Sequence, residues 1–128
     1  LVMGSAPLVM QKMEPTRAQA EQYVDRYLAH TLANTDANDM IFYLDASRNY
    51  NPEAKLGTIK APVLWINSMD DFINPPELGI AQREVTKIPH GRFILLPITD
   101  QTRGHGTHTV ASVWKDYLAE FMRETEPK

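Results

Sequence analysis

The sequence has no cysteine, which removes a thiol nucleophile, a disulfide framework and a thiolate metal site from consideration. It has no apolar run approaching the roughly 18 residues of a membrane span. It has no strong excess of either charge: the formal net charge is −3, which offers no footprint for nucleic acid or an anionic membrane surface. It also lacks repeats and low-complexity tracts. The apolar stretch from Leu1 to Met10 has no basic flank and no small-residue cleavage site, so it does not read as a signal peptide. Position 1 is Leu rather than Met, and the expectation is a chain that starts mid-protein.

What is present fits one domain-sized core: 128 residues, 43% hydrophobic and 23% charged. Pro15 breaks the chain after an opening segment whose state, helix end or loose coil, the residues leave open. Thr16 with Gln19 has the spacing of a capping box. Tyr23, Val24, Tyr27 and Leu28 follow at helical spacing, predicting a helix from about Thr16 to Leu32. Thr35 or Asp36 can cap a second helix running to about Arg48, with Met40, Ile41, Tyr43 and Leu44 as its apolar positions. Asn51-Pro52 stops it. Arg17, Arg26 and Arg48 read most simply as solvated helix charges.

Beyond Pro62 the pattern changes. Val63-Leu64-Trp65-Ile66-Asn67 is a short apolar run with β-branched and aromatic members, the signature of a strand buried on both faces. Pro75-Pro76-Glu77 opens a helix carrying Leu78, Ile80, Ala81 and Val85. Phe93-Ile94-Leu95-Leu96 is a second strand. A last helix, from about His108 to Arg123, is expected to bury Val110, Val113, Trp114, Tyr117, Leu118 and Phe121, before a frayed tail from Glu124 to Lys128. Alternating strand and helix predicts a parallel α/β layer. Two strands are few for a stable sheet, so further strands are expected from elsewhere: another segment, a partner chain or self-association.

In open α/β sheets, functional groups gather past the carboxyl ends of the strands. Ser68-Met69-Asp70-Asp71 follows the first strand, and Arg103-Gly104-His105-Gly106-Thr107-His108 follows the second. A carboxylate bonded to one imidazole nitrogen fixes the tautomer and frees the other nitrogen to take a proton from a nucleophile. The order acid, then histidine, is that of hydrolases whose serine comes earlier on a Gly-x-Ser-x-Gly elbow. No such elbow exists here: Ser5, Ser47, Ser68 and Ser112 all lack the flanking glycines. His105 and His108, with Asp70 or Asp71 as a third ligand, are a weaker alternative as a metal set.

The segment Thr35-Asp36-Ala37-Asn38-Asp39-Met40-Ile41-Phe42-Tyr43 resembles the Asp-Ala-Asn helix in the cap of the homoserine O-acetyltransferase family. Ala61-Pro62-Val63-Leu64-Trp65-Ile66, then Asp70-Asp71, then Pro75-Pro76-Glu77, is similar to that family's penultimate strand, acid loop and next helix, and Gly104-His105 to its Gly-His motif. After Asp36-Ala37-Asn38 the chain departs, reading Asp45-Ala46-Ser47-Arg48 where the family tends to have Arg-Ala-Met-Asp.

The resemblance implies the C-terminal portion of an α/β-hydrolase fold whose sheet is incomplete in this chain. Residues 1–52 would form a helical cap, and residues 53–128 the last two parallel strands with their helices. It implies acyl transfer through a Ser-His-Asp triad. Asp71, four residues before Pro75, is preferred to Asp70 as the acid, and His105 to His108 as the base. The serine would lie outside this chain, on a missing N-terminal portion or a partner chain. An acyl donor, with acyl-CoA as the candidate, and a small alcohol acceptor are implied. No metal or organic cofactor, nucleic acid or membrane is, and a cytoplasmic protein is expected, with a homo-oligomer as one option. An esterase of the same fold is an alternative. So is a non-catalytic truncated module that binds a partner through its exposed sheet edge.

Overall fold

A computed structural model describes residues 3–126. Leu1, Val2, Pro127 and Lys128 lie outside the described residues, so the expectations for the two extreme ends concern the chain only in part. The described residues form two compact units. One is Met10–Pro52; the other joins the residues up to Val9 to those from Glu53 onward.

The first unit is helical. A short helix, α1 (Pro7–Met13), crosses from one unit into the next. The helix α2 (Arg17–Asn34) starts where its sequence says it should. The Thr16 side chain accepts from the Gln19 backbone N–H, and the Gln19 side chain accepts from the Thr16 backbone N–H at 3.1 Å, the reciprocal capping box. Between the two candidate caps of the next helix, α3 (Ala37–Asp45), Asp36 fills the role: its carboxylate accepts from the backbone N–H groups of Asn38 and Asp39. Arg17 pairs with Glu21 and Arg48 with Asp45 on the exposed surface, and Arg26 reaches the half-buried Glu14. Tyr23 and Tyr27 stack one turn apart, their centroids separated by 6.4 Å. No side chain of α1, α2 or α3 is buried.

The second unit is α/β. After a 3-10 helix, Glu53–Thr58, come β1 (Val63–Ser68), α4 (Ile80–Val85), β2 (Gly91–Leu96) and α5 (Ala111–Thr125). The two strands pair in parallel, as the alternation of elements predicts, in a register running from Val63 opposite Gly91 to Ser68 opposite Leu96. Trp65 faces Phe93 across the pair, edge to face, with centroids 6.0 Å apart. Side chains alternate between the sheet faces. The Arg92 guanidinium lies over the Phe121 ring of α5 at 5.6 Å, and its Nη1 donates to Glu124 at 2.9 Å. Gly91 begins β2 because nothing larger fits: an added Cβ would stand 2.8 Å from the Val85 carbonyl oxygen and 2.9 Å from Ile88 Cβ.

Four expectations are corrected. The strands are half-buried except at their last residues, Ser68 and Leu96, which are buried; among the described residues each strand has one neighbouring strand and one open edge. The helix expected from Pro75 is split: Pro76–Leu78 forms a 3-10 turn, the backbone turns left-handed at Gly79, and α4 starts at Ile80. The last helix starts three residues late, since Gly106–Thr109 is a separate 3-10 turn that takes His108 out of α5. None of the apolar side chains expected there is buried; Val110, just ahead of α5, and Val113, Trp114 and Phe121 within it are half-covered, while Tyr117 and Leu118 are exposed. No helix among the described residues is long and apolar enough to cross a membrane.

Candidate functional site

The parallel register places the ends of β1 and β2 level with each other, Ser68 beside Leu96. The loops leaving these ends therefore emerge side by side, which is where a crossover α/β arrangement concentrates its chemistry. Asp71 sits three residues past Ser68, and His105 lies in the loop after β2. The His105 Nδ1 stands 3.2 Å from the Asp71 Oδ2. The partners are 34 residues apart in sequence and meet only through the fold.

Asp71 is held on all sides. Its Oδ1 accepts from the backbone N–H groups of Ile73 at 2.8 Å and Asn74 at 3.0 Å, and its Oδ2 faces His105 and, at 3.4 Å, the Asn74 amide. Its side chain is 4% exposed. Burial pushes its carboxyl up. The hydrogen bonds from the Asn74 backbone, from His105, from the Ile73 backbone and from the Asn74 side chain outweigh that, and the group is held below the ordinary aspartate range. Asp71 is therefore a carboxylate at neutral pH, aimed at an imidazole.

With the Asp71 carboxylate as acceptor, the Nδ1–H tautomer of His105 is the one that bonds. Nε2 is then the nitrogen with a free lone pair. The ring is 36% exposed and lines a cavity of about 680 Å³. Leu64, Ile66, Trp114, Leu118 and Phe121 form its apolar wall, and Asp71, Asn74 and His108 join His105 at its polar part.

The other candidates take different positions. Asp70 does not reach the imidazole: one of its oxygens accepts from the Ser68 hydroxyl and the other from the Gly104 backbone N–H at 2.9 Å. His108 stacks obliquely on His105, centroids 5.2 Å apart, and its Nδ1 donates to the His105 carbonyl at 2.6 Å, away from either aspartate. Among the described residues no group of three or more His, Asp or Glu side chains gathers as a metal-ligand set.

Asn74 went unnoticed in the sequence. Its amide nitrogen lies 3.5 Å from His105 Nδ1 as well as beside Asp71, and its carbonyl accepts from the Asn67 side chain at 2.8 Å. With the Nδ1 proton committed to Asp71, the approach of Asn74 to that ring nitrogen is a packing contact. The hydrogen bond it makes is to the carboxylate. The available signal was the spacing: an aspartate three residues before an asparagine, directly ahead of Pro75, is the pattern of a side-chain-closed turn.

No protein-family model, curated protein or solved structure matches this chain.

Proposed function

We propose that this chain supplies the acid and the general base of a Ser-His-Asp acyl-transfer site, in an α/β-hydrolase-type protein of the homoserine O-acetyltransferase-like group. Asp71 is the acid and His105 the base, and residues of the first unit serve as the cap. The nucleophilic serine lies on a segment outside these 128 residues. The observation that carries this reading is the Asp71–His105 pair, formed at the carboxyl ends of two adjacent parallel strands and open to a cavity.

The reaction follows from the pair. The serine oxygen attacks the acyl carbonyl while His105 Nε2 takes its proton, and Asp71 stabilises the imidazolium through Nδ1–H. The imidazolium then gives that proton to the departing thiol or alcohol, leaving the acyl group on serine. In the second half, an acceptor hydroxyl loses its proton to Nε2 as it attacks the acyl-enzyme. The serine leaves and takes the proton back. A small alcohol as acceptor makes the protein a transferase; water makes it an esterase. The acyl donor, for which acyl-CoA is the candidate, rests on the family resemblance alone.

The test uses the purified protein with whatever polypeptide accompanies it. A fluorophosphonate should label a serine within a Gly-x-Ser-x-Gly segment, and hydrolysis of a p-nitrophenyl ester should fall roughly 10⁴-fold with Asp71→Asn, by analogy with other triads. Equal activity in Asp71→Asn, in His105→Ala and in the parent would end the proposal. Acceleration of acyl-enzyme breakdown by homoserine separates transferase from esterase.

One feature favours a second reading. Both strands keep an open edge among the described residues, and Leu78, Ile80, Ile98 and Met122 are exposed in the same unit. A non-catalytic module that binds a partner through that edge would show the same surface. It would also be a monodisperse species without esterase activity.

A further inference from the structure

Two aspartates stand next to each other at the end of β1, and the acyl-transfer reading uses one. The other is not idle. Both side chains hold the Gly104-His105 pair, and they take different parts of it. Asp71 takes the histidine ring, and Asp70 takes the Gly104 N–H.

We infer that Asp70 is a positioning residue: its carboxylate clamps the buried Gly104 N–H, and that clamp sets the loop so that His105 meets Asp71. The inference rests on the acyl-transfer reading for its purpose, and on geometry for its substance. Gly104 is buried, and its N–H bonds to Asp70 across 34 residues of sequence. A buried N–H left without an acceptor is costly, so the loop is tied to wherever Asp70 stands.

Asp70 is itself fixed. Its second oxygen accepts from the hydroxyl of Ser68, a residue only 2% exposed at the end of the strand, and the Asp71 N–H returns to the Ser68 carbonyl at 3.1 Å. On the far side the loop is closed by its own bonds. Arg103 N–H donates to the buried Thr107 hydroxyl at 2.8 Å, and Thr107 N–H to the Gly104 carbonyl at 3.0 Å.

Gly104 leaves no slack. Its φ is +59°, a region that favours glycine. An added Cβ would lie 3.0 Å from the Ser5 carbonyl oxygen and 3.1 Å from that of Asp70. The loop can approach the acid turn this closely only because the residue before the histidine has no side chain. The Gly-His pair thus has a local reason in this fold: the glycine meets the strand end, and the histidine meets the acid.

The two aspartates then differ in what they must supply. Asp71 must be negative, to hold a proton-bearing ring nitrogen and to stabilise an imidazolium. Asp70 needs only to accept, because its partners are a neutral amide and a neutral hydroxyl. An asparagine oxygen can accept from Gly104, and the Ser68 hydroxyl can turn to accept from the asparagine amide.

The experiment is NMR on the 128-residue chain. Ring ¹⁵N shifts of His105 at alkaline pH report the tautomer, and the Gly104 amide proton reports the clamp. In the unaltered protein the Gly104 amide should exchange slowly with solvent, as a buried, hydrogen-bonded N–H does. Asp70→Ala should abolish the preference of His105 for the Nδ1–H tautomer. Asp70→Asn should retain it, and Asp71→Asn should lose it. If Asp70→Ala keeps the parent tautomer while Asp71→Asn loses it, the clamp is refuted and the triad reading stands. If Asp71→Asn also keeps it, the triad reading is what fails. If Asp70→Ala does not fold, the Gly104 amide of the unaltered protein decides: exchange as fast as that of an unprotected loop amide refutes the clamp.

Discussion

The helical unit and the α/β unit are specified in different ways. In residues 10–52 the information is local. Helix starts are closed by Thr16 and Asp36, ion pairs sit on the surface, and no side chain of α2 or α3 is buried. Met40, Ile41, Phe42, Tyr43 and Leu44 of α3 are all exposed. In the α/β unit the information is long-range. Among the described residues the buried polar ones, Ser68, Asp71, Thr102 and Thr107, all lie in or beside the loops leaving the strands, and they are as many as the buried apolar ones, Ala6, Val85, Ile88 and Leu96. Local signals suffice to write a helix. A site needs groups that find each other across the sequence, and here polar burial marks where they do.

This contrast can be broken most forcefully at Gly91. Alanine there must displace the Val85 carbonyl or the Ile88 side chain, and about 1–3 kcal/mol of stability should be lost, read as a lower urea midpoint. Loss of the sheet's near-ultraviolet Trp65 signal without loss of α2 and α3 helicity would sharpen the comparison; loss of both in one step would dissolve it.

A smaller effect is expected from the caps. Asp36→Ala should cost about 1 kcal/mol in α3 and reduce helical circular dichroism. His105 and Asp71 signals should stay unmoved, and a shift in them would show that the helical unit's integrity matters to the pair.

The smallest effect concerns pH. The native Asp71 carboxyl binds its proton less readily than the unfolded one. Through the acid range, below the ordinary aspartate value, the unfolded state therefore holds more protons, and stability rises with pH. The contribution is fully present above the unfolded aspartate pKa and is lost as pH falls through the native one. Urea midpoints of the parent and Asp71→Asn should converge on acidification; a constant gap down to pH 2 would mean that Asp71 is not held as a carboxylate.

Much of this was legible in the residues. Thr16 with Gln19, the run Val63–Asn67 and the run Phe93–Leu96 each sit in a pattern whose physics is local, and each forms the expected element near the expected bounds. Asp71, rather than Asp70, is the aspartate within hydrogen-bonding distance of the His105 ring. What could not be read was tertiary. Half-burial of the strands depends on how many neighbours they have, and the split at Gly79 on a left-handed residue inside a helical pattern. Asn74 and the Gly104 clamp depend on which loops end up adjacent. A spacing rule within one segment carries no information about a partner 34 residues away.

The level register of β1 and β2 has a further result. Because Ser68 stands opposite Leu96, strand pairing brings the loops that carry acid and base level with each other, and the crossover beyond Pro75 adds no hydrogen bond to either group among the described residues. Substitutions at the exposed positions Glu77, Leu78, Ile80 and Gln82 should therefore leave the proton path unaltered. This is the stretch where sequence can drift without touching the chemistry.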